Sequence, residues 1–240
     1  MKNVKLILAY EGTAYSGWQK TETGPSIEGE LEKVLEQILQ HKVKLQAASR
    51  TDAGVHAEAQ VVNFFTEKET DKLLRGCNAL LPEDIRVLHL EEMPREFHPT
   101  LQASGKEYHY SVSLGPTQLP FERKFSWHFV KPVDVNVMRE AAKLLIGKHD
   151  FSALTNEKQD NNVREVYRIE IEKGEKLQIR VAGNHFLYKM VRNIVGTLIY
   201  VGCGMLTLDD VRVLLETKDR TAAGMTAPAH GLTLKSVFYD

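Results

Sequence analysis

Ser26-Ile27-Glu28-Gly29-Glu30-Leu31-Glu32-Lys33-Val34-Leu35-Glu36-Gln37-Ile38-Leu39 is the stretch on which the fold turns. Its apolar residues Ile27, Leu31, Val34, Leu35, Ile38 and Leu39 recur at helical spacing and form one stripe, with Glu30, Lys33 and Glu36 away from it. Ser26 is placed to cap the helix through its hydroxyl. Such a stripe must be buried, and the runs on either side supply the cover. Before it, Val4, Leu6, Leu8 and Tyr10 alternate with Lys5, Ile7 and Ala9, as in a strand covered on at least one face. After it, Val43, Leu45 and Ala47 alternate over a short strand, and another strand is predicted over 59–65. A second helix is predicted from about residue 70 to 80, stopped by Pro82, with a last strand over 85–90. Strand, helix, strand, strand, helix, strand is the split order of a ferredoxin-like unit.

The segment 91–104, with Pro94 and Pro99, has the punctuation of a linker or crossover. Beyond it the pattern begins again. Residues 106–114 alternate, with Tyr108, Tyr110, Val112 and Leu114 on one face, and 125–130 is expected to add a strand. Asp134 caps a predicted helix whose apolar side is Val135, Met138, Ala142 and Leu145, ending at Gly147. Residues 165–171 and 177–182 read as a hairpin across Lys173-Gly174. Helices over 185–201 and 208–216, the latter led by Thr207 and Asp210 in the manner of a capping box, precede a final strand over 232–239. The expected fold class is therefore α+β: two tandem ferredoxin-like (split βαβ) halves with antiparallel sheets and helices packed on one face. The first half is expected over 1–104 and the second over 105–240. On a helical wheel starting at His185, the side chains of His185, Lys189 and Arg192 share a face with Gly196, opposite Leu187, Val191, Ile194 and Leu198. The glycine on that basic stripe would admit a backbone or an RNA.

The chain has 240 residues, 42% hydrophobic and 26% charged, as in an ordinary soluble globular protein. No apolar signal-peptide core and no run of about 18 apolar residues appears, so a cytoplasmic protein is expected, with no membrane segment. Cys77 and Cys203 stand far apart and outside any Cys-x-x-Cys pair, and the nine histidines show no ligand spacing, so no metal is expected. Gly-x-Gly-x-x-Gly, phosphate-loop and Gly-x-Ser-x-Gly patterns are missing, which removes the usual support for nucleotide-cofactor and serine-hydrolase chemistry. With a net charge of −1, any nucleic-acid site must be a local concentration of positive charge.

Chemistry is concentrated in Ala48-Ser49-Arg50-Thr51-Asp52-Ala53-Gly54-Val55-His56-Ala57, between two strand-like runs. Arg50, two positions before Asp52, favours an ionised acid. Gly54 allows a sharp turn or the close approach of a ligand. Taken alone, Asp-Ala-Gly also suits a plain Asx turn.

The string Arg50 to His56 resembles the signature of the A family of tRNA pseudouridine synthases. Tyr10-Glu11-Gly12-Thr13, Ser16-Gly17-Trp18-Gln19, Gln60-Val61-Val62, Phe97-His98, Tyr108-His109-Tyr110, Met190 to Gly196, Lys218 to Thr221 and Thr226 to Leu232 follow the family pattern in order, so the similarity spans nearly the whole chain. The resemblance implies isomerisation of uridine to pseudouridine in the tRNA anticodon stem-loop, at tRNA positions 38 to 40. It also implies a homodimer, a catalytic cleft between the two halves, and no cofactor. Asp52 takes the role of catalytic acid, and Arg192 that of its basic partner. Tyr108 stacks on the flipped uracil, and Leu232 lines the uracil pocket. Arg50, His56, Lys189, Lys218 and Arg220 are candidates for phosphate contacts, which position RNA without reading its sequence.

The reaction breaks the N-glycosidic bond, turns the uracil and rejoins it through C5, so no electrons and no external group are exchanged. The carboxylate can attack the base, attack the sugar or promote elimination from the ribose, three routes that the residues do not separate. A noncatalytic RNA-binding protein on the same scaffold is the alternative reading, and a glycosidase lacks a clear second carboxylate. The chain departs from the family pattern at Thr100 and Leu101, where a charge and an aromatic are usual, and at Thr233 and Glu28.

Overall fold

A computed structural model describes residues 1–22, 24–157 and 160–240. The chain forms two compact units, Met1–Ser104 with Thr233–Asp240, and Gly105–Leu232.

In the first unit, β1 (Lys2–Tyr10) is followed by α1 (Ile27–Leu39), β2 (Gln46–Ala47), β3 (His56–Thr66), α2 (Leu73–Leu80) and β4 (Ile85–Met93). The strand order is β4-β1-β3 with β2 on β3, all antiparallel, with Leu6 opposite both Val62 and Leu90. This is the split order expected from the sequence. The even positions of β1 are the reason it sits at the centre: Val4, Leu6 and Leu8 are fully buried, as are Ile27, Leu31 and Leu35 along the stripe of α1. Burying each such side chain stabilises the fold by roughly 1.5–3 kcal/mol. Ser26 caps α1, its hydroxyl accepting from the Gly29 N–H at 3.1 Å.

The odd face of β1 is covered by the segment read from sequence as a linker. The strand there continues to Met93, and the turn beyond it is tied down by Asn3, whose amide donates to the Pro94 and Phe97 carbonyls at 3.1 and 2.9 Å. Phe97 packs with Ala48, Val61 and Tyr239, and the Lys5 ammonium lies over both aromatic rings at 5.7 and 5.4 Å. Prolines here shape a packed turn. The C-terminal strand explains why the last residues cluster with this unit, whereas the sequence reading ran the second half to residue 240. In β10 (Leu232–Tyr239), Thr233 and Leu234 pair in parallel with His56 and Ala57 of β3.

The second unit contains most of β5 (Ala103–Leu114), then β6 (Trp127–Phe129), α3 (Val135–Leu145), β7 (Gly147–Asp150), β8 (Val163–Lys173), β9 (Leu177–Gly183), α4 (Met190–Gly202) and α5 (Leu208–Thr217). Its sheet runs β5-β9-β8-β7, antiparallel throughout, with the short β6 parallel to β5. Tyr110, Met138, Leu145 and Phe151 are fully buried. Asp134 caps α3, and the Thr207–Asp210 capping box opens α5, as their spacing predicts. The sequence reading overlooked β7, which follows directly on a helix end: Gly147 at φ 106° turns the chain straight into it. No helix among the described residues is long and apolar enough to cross a membrane.

Candidate active site

The Asp52 loop is held from behind by buried side chains. Gln60, fully buried on β3, donates to the Ser49 carbonyl at 2.7 Å and accepts from the Ser49 N–H at 3.2 Å. A side-chain amide can do both at once, and so extends the ladder two residues beyond β2. The hydroxyls of Thr51 and Tyr10 share a hydrogen bond at 2.8 Å, and the Trp18 N–H donates to the Thr51 carbonyl at 3.0 Å. That last bond needs Gly17: its φ is +100°, and a Cβ would lie 2.7 Å from the Thr51 oxygen. The Val55 N–H closes a turn on the Asp52 carbonyl at 3.1 Å, with Gly54 at φ 79°. The outcome is a rigid loop with Thr51 buried, Asp52 half-buried and Arg50 exposed.

Two of the expected phosphate contacts are separated by this geometry. His56 is only 3% exposed, and its Nδ1 accepts from the Gly12 N–H at 3.0 Å. It ties the loop before α1 to the start of β3. Arg50 makes no hydrogen bond or ion pair with Asp52, and its guanidinium faces outward. Thr100, where the family pattern has a charge, donates to the Ala47 carbonyl at 2.7 Å and fastens the 94–102 turn to the segment leading into the site.

In the second unit the two tyrosines of β5 are both buried. Tyr110 is completely buried, its ring pressed under Gly231, where a Cβ would lie 2.5 Å from the ring. Its hydroxyl donates to the Pro228 carbonyl at 2.8 Å, and burial pushes its ionisation well above the usual tyrosine range. Tyr108 has its ring edge-on to Phe186, with centroids 5.4 Å apart. Leu232 is buried at the head of β10.

Arg192 lies in the first turn of α4, half-buried, with Nε donating to the Ala227 carbonyl at 2.7 Å while the Ala227 N–H returns to the Arg192 carbonyl at 3.1 Å. The helix begins at Met190, later than the wheel assumed, because Lys189 sits in the left-handed region at φ 59°. His185 and Lys189 are therefore off the helix, and the Lys189 ammonium lies over the Tyr188 ring at 4.8 Å. The close approach at Gly196 is made by the chain's own backbone: a Cβ there would be 1.7 Å from the Met225 oxygen.

Lys218 and Arg220 are engaged within the unit. The Lys218 ammonium pairs with Asp150 at 2.7 Å and holds that carboxyl below its ordinary range, helped by Ser152. The Arg220 guanidinium donates to Gly224 at 3.0 Å and to Asn193 and Thr226 at 2.9 Å each. It braces the 220–226 segment against α4. Sequence reasoning missed Gln60 and Asn193 as supports. A polar residue at a position that strand or helix periodicity assigns to the core was the available signal.

The model of the family described as tRNA pseudouridine synthase matches residues 6–100 and 141–240. The chain is 52% identical to tRNA pseudouridine synthase A 2 of Protochlamydia amoebophila, over all of this chain and 95% of that one. It is 41% identical to tRNA pseudouridine synthase A of Thermoanaerobacter sp. strain X514, over the full length of both. To tRNA pseudouridine synthase A of Bacillus pumilus it is 42% identical over 99% of each.

Proposed function

Because this chain belongs to the tRNA pseudouridine synthase family and is an isomerase, we propose that it converts uridine to pseudouridine in the anticodon stem-loop of tRNA, at positions 38 to 40, with Asp52 as the nucleophile or base. The observation that carries the assignment of the acid is its placement. Asp52 sits half-buried on a loop anchored through Ser49 and Thr51 by the buried side chains of Gln60 and Tyr10, so its backbone is held in position before substrate arrives. Preorganisation of this kind favours a group that acts on a substrate over one that merely shapes a turn.

A uridine inside a stacked arm must leave its stack to react, which requires a pocket and a replacement for the lost stacking. Tyr108 supplies the aromatic face, Leu232 the apolar lining, and Arg192 the cation that partners the acid. Of the basic residues considered for the RNA backbone, we keep Arg50, Lys189 and Lys218, the last exposed beside Asp150, while His56 and Arg220 also make internal hydrogen bonds. The chemistry exchanges a proton at C5 for one at N1 and returns every heavy atom to the same nucleotide, so the reading calls for no cofactor. We place the enzyme in the cytoplasm and expect a homodimer.

Pseudouridine mapped in tRNA from cells with and without the gene tests this directly. Loss of pseudouridine at positions 38 to 40 alone is the expected result. An unchanged map there, or loss at a site outside the anticodon stem-loop, would overturn the assignment.

A further inference from the structure

We propose that Lys106, Arg164 and His185 form a binding subsite for a phosphodiester group of the RNA strand, on the same face of β5 as Tyr108. The proposal rests on the tRNA-isomerase reading and adds to it a backbone contact within the second unit.

Lys106 stands two residues before Tyr108 on β5, and side chains two apart on a strand share a face. It is only 6% exposed, yet its ammonium has no hydrogen-bond or ion-pair partner among the described residues. Lysines are almost never this buried unless paired. Opposite it in register is Gly183, so β9 places no side chain against it. A Cβ at Gly183 would lie 3.1 Å from the Phe186 ring, the ring that meets Tyr108. Gly183 also pairs with Val166 of β8, which puts Arg164, two residues earlier, on that face as well.

Among the described residues, the charges that act on His185 beside Lys106 are positive. His185, the neighbour of Phe186, is held below its ordinary pKa by burial first, and then by Lys106 and Arg164. Among the described residues the Arg164 guanidinium donates only to the Asn161 and Val163 carbonyls, at 3.1 and 2.7 Å. The adjacent carboxylates belong to the opposite faces of their strands. Glu107 pairs with Arg168 and with His109, and Glu165 alternates away from Arg164 on β8. Burial alone depresses Lys106, to about 8. Three bases gathered together, with no carboxylate paired to them among the described residues, make a site that an incoming anion completes. A phosphodiester beside the stacking tyrosine is the anion that an extruded nucleotide brings with it.

Protonated Lys106 is the form that binds phosphate. Affinity is therefore full below the pKa of the free protein and falls as pH rises through about 8. Affinity of the full-length protein for an unmodified tRNA transcript, measured against salt on both sides of that pH, tests the subsite with two variants. In Lys106→Met the slope of log affinity against log salt should shrink by about one, and the alkaline decline should disappear. In Lys106→Arg the slope should persist and the decline should still disappear, because a guanidinium does not titrate there. The arginine variant carries the test by itself if the methionine variant does not fold.

A wild-type slope with a wild-type pH profile in either variant would overturn the subsite. So would a melting shift caused by inorganic phosphate and lost in Lys106→Met without any change in the tRNA slope, since the site would then serve the free anion. Pseudouridine formation by the wild type, followed in parallel, separates the two levels. Turnover with an unmoved slope sinks the subsite alone, whereas no turnover on any tRNA sinks the isomerase reading beneath it.

Discussion

Asp52 and its neighbours show how far a local pattern carries. Acid, hydroxyl, glycine and imidazole fell within ten residues of sequence, and the loop they form is tied to β1 and to the segment before α1 by hydrogen bonds of Thr51 and His56. The duties of the individual bases were not legible, because each depends on a partner distant in the chain. His56 is matched to the Gly12 N–H 44 positions away, and Arg220 to Asn193 27 positions away. Three side chains can be told apart by mutation. Thr100→Val removes the donor to the Ala47 carbonyl and should lower stability by about 1 kcal/mol, visible as a lower melting temperature. Tyr110→Phe should likewise destabilise, since it removes the donor to the half-buried Pro228 carbonyl. Wild-type melting in Tyr110→Phe would contradict a structural role for that hydroxyl. Lys106 makes the third case. Its folded pKa of about 8 lies below the ordinary 10.5, so between those values the unfolded chain binds more protons and stability rises with pH. The rise should be on the order of 3 kcal/mol and should vanish in Lys106→Met.

At the scale of elements, periodicity identified α1 and the strands of the first unit, because a stripe that must be buried leaves its mark every third or fourth residue. The same rule extended α4 too far towards the N-terminus. Basic residues at 185 and 189 matched the wheel, but a left-handed Lys189 is a backbone property that side-chain spacing does not report. The prolines at 94 and 99 likewise signalled a break in regular structure, not whether the break would pack, and Asn3 decides that from the far end of the unit. The crossing of α4 with the 224–227 segment is the element on which Arg192 depends. Gly196→Ala would drive a methyl into the Met225 carbonyl, and the segment carrying Ala227 would have to move. Such overpacking typically costs about 1–3 kcal/mol. Turnover should fall together with melting temperature, because the Nε contact that aims Arg192 is lost with the segment. Wild-type melting in Gly196→Ala would show that the approach is looser than described.

For the whole molecule, a net charge of −1 gave no sign of a polyanionic substrate. The family assignment came from motifs in order along the chain, which total composition averages away. Binding should nonetheless weaken steeply with salt, since released phosphate counterions are set by the local contacts and not by the net charge. A flat dependence of log affinity on log salt would count against any basic RNA site on the protein. The most direct test of the central claim is pseudouridine formation in an unmodified tRNA transcript by the wild type and by Asp52→Asn, with tRNA affinity measured on the same preparations. The amide keeps the volume of the side chain and cannot act as an anionic nucleophile or base. Wild-type enzyme should form pseudouridine in the anticodon stem-loop, and Asp52→Asn should bind tRNA with near-wild-type affinity and form none. Turnover by Asp52→Asn close to that of the wild type would contradict the assignment of Asp52 as the catalytic acid.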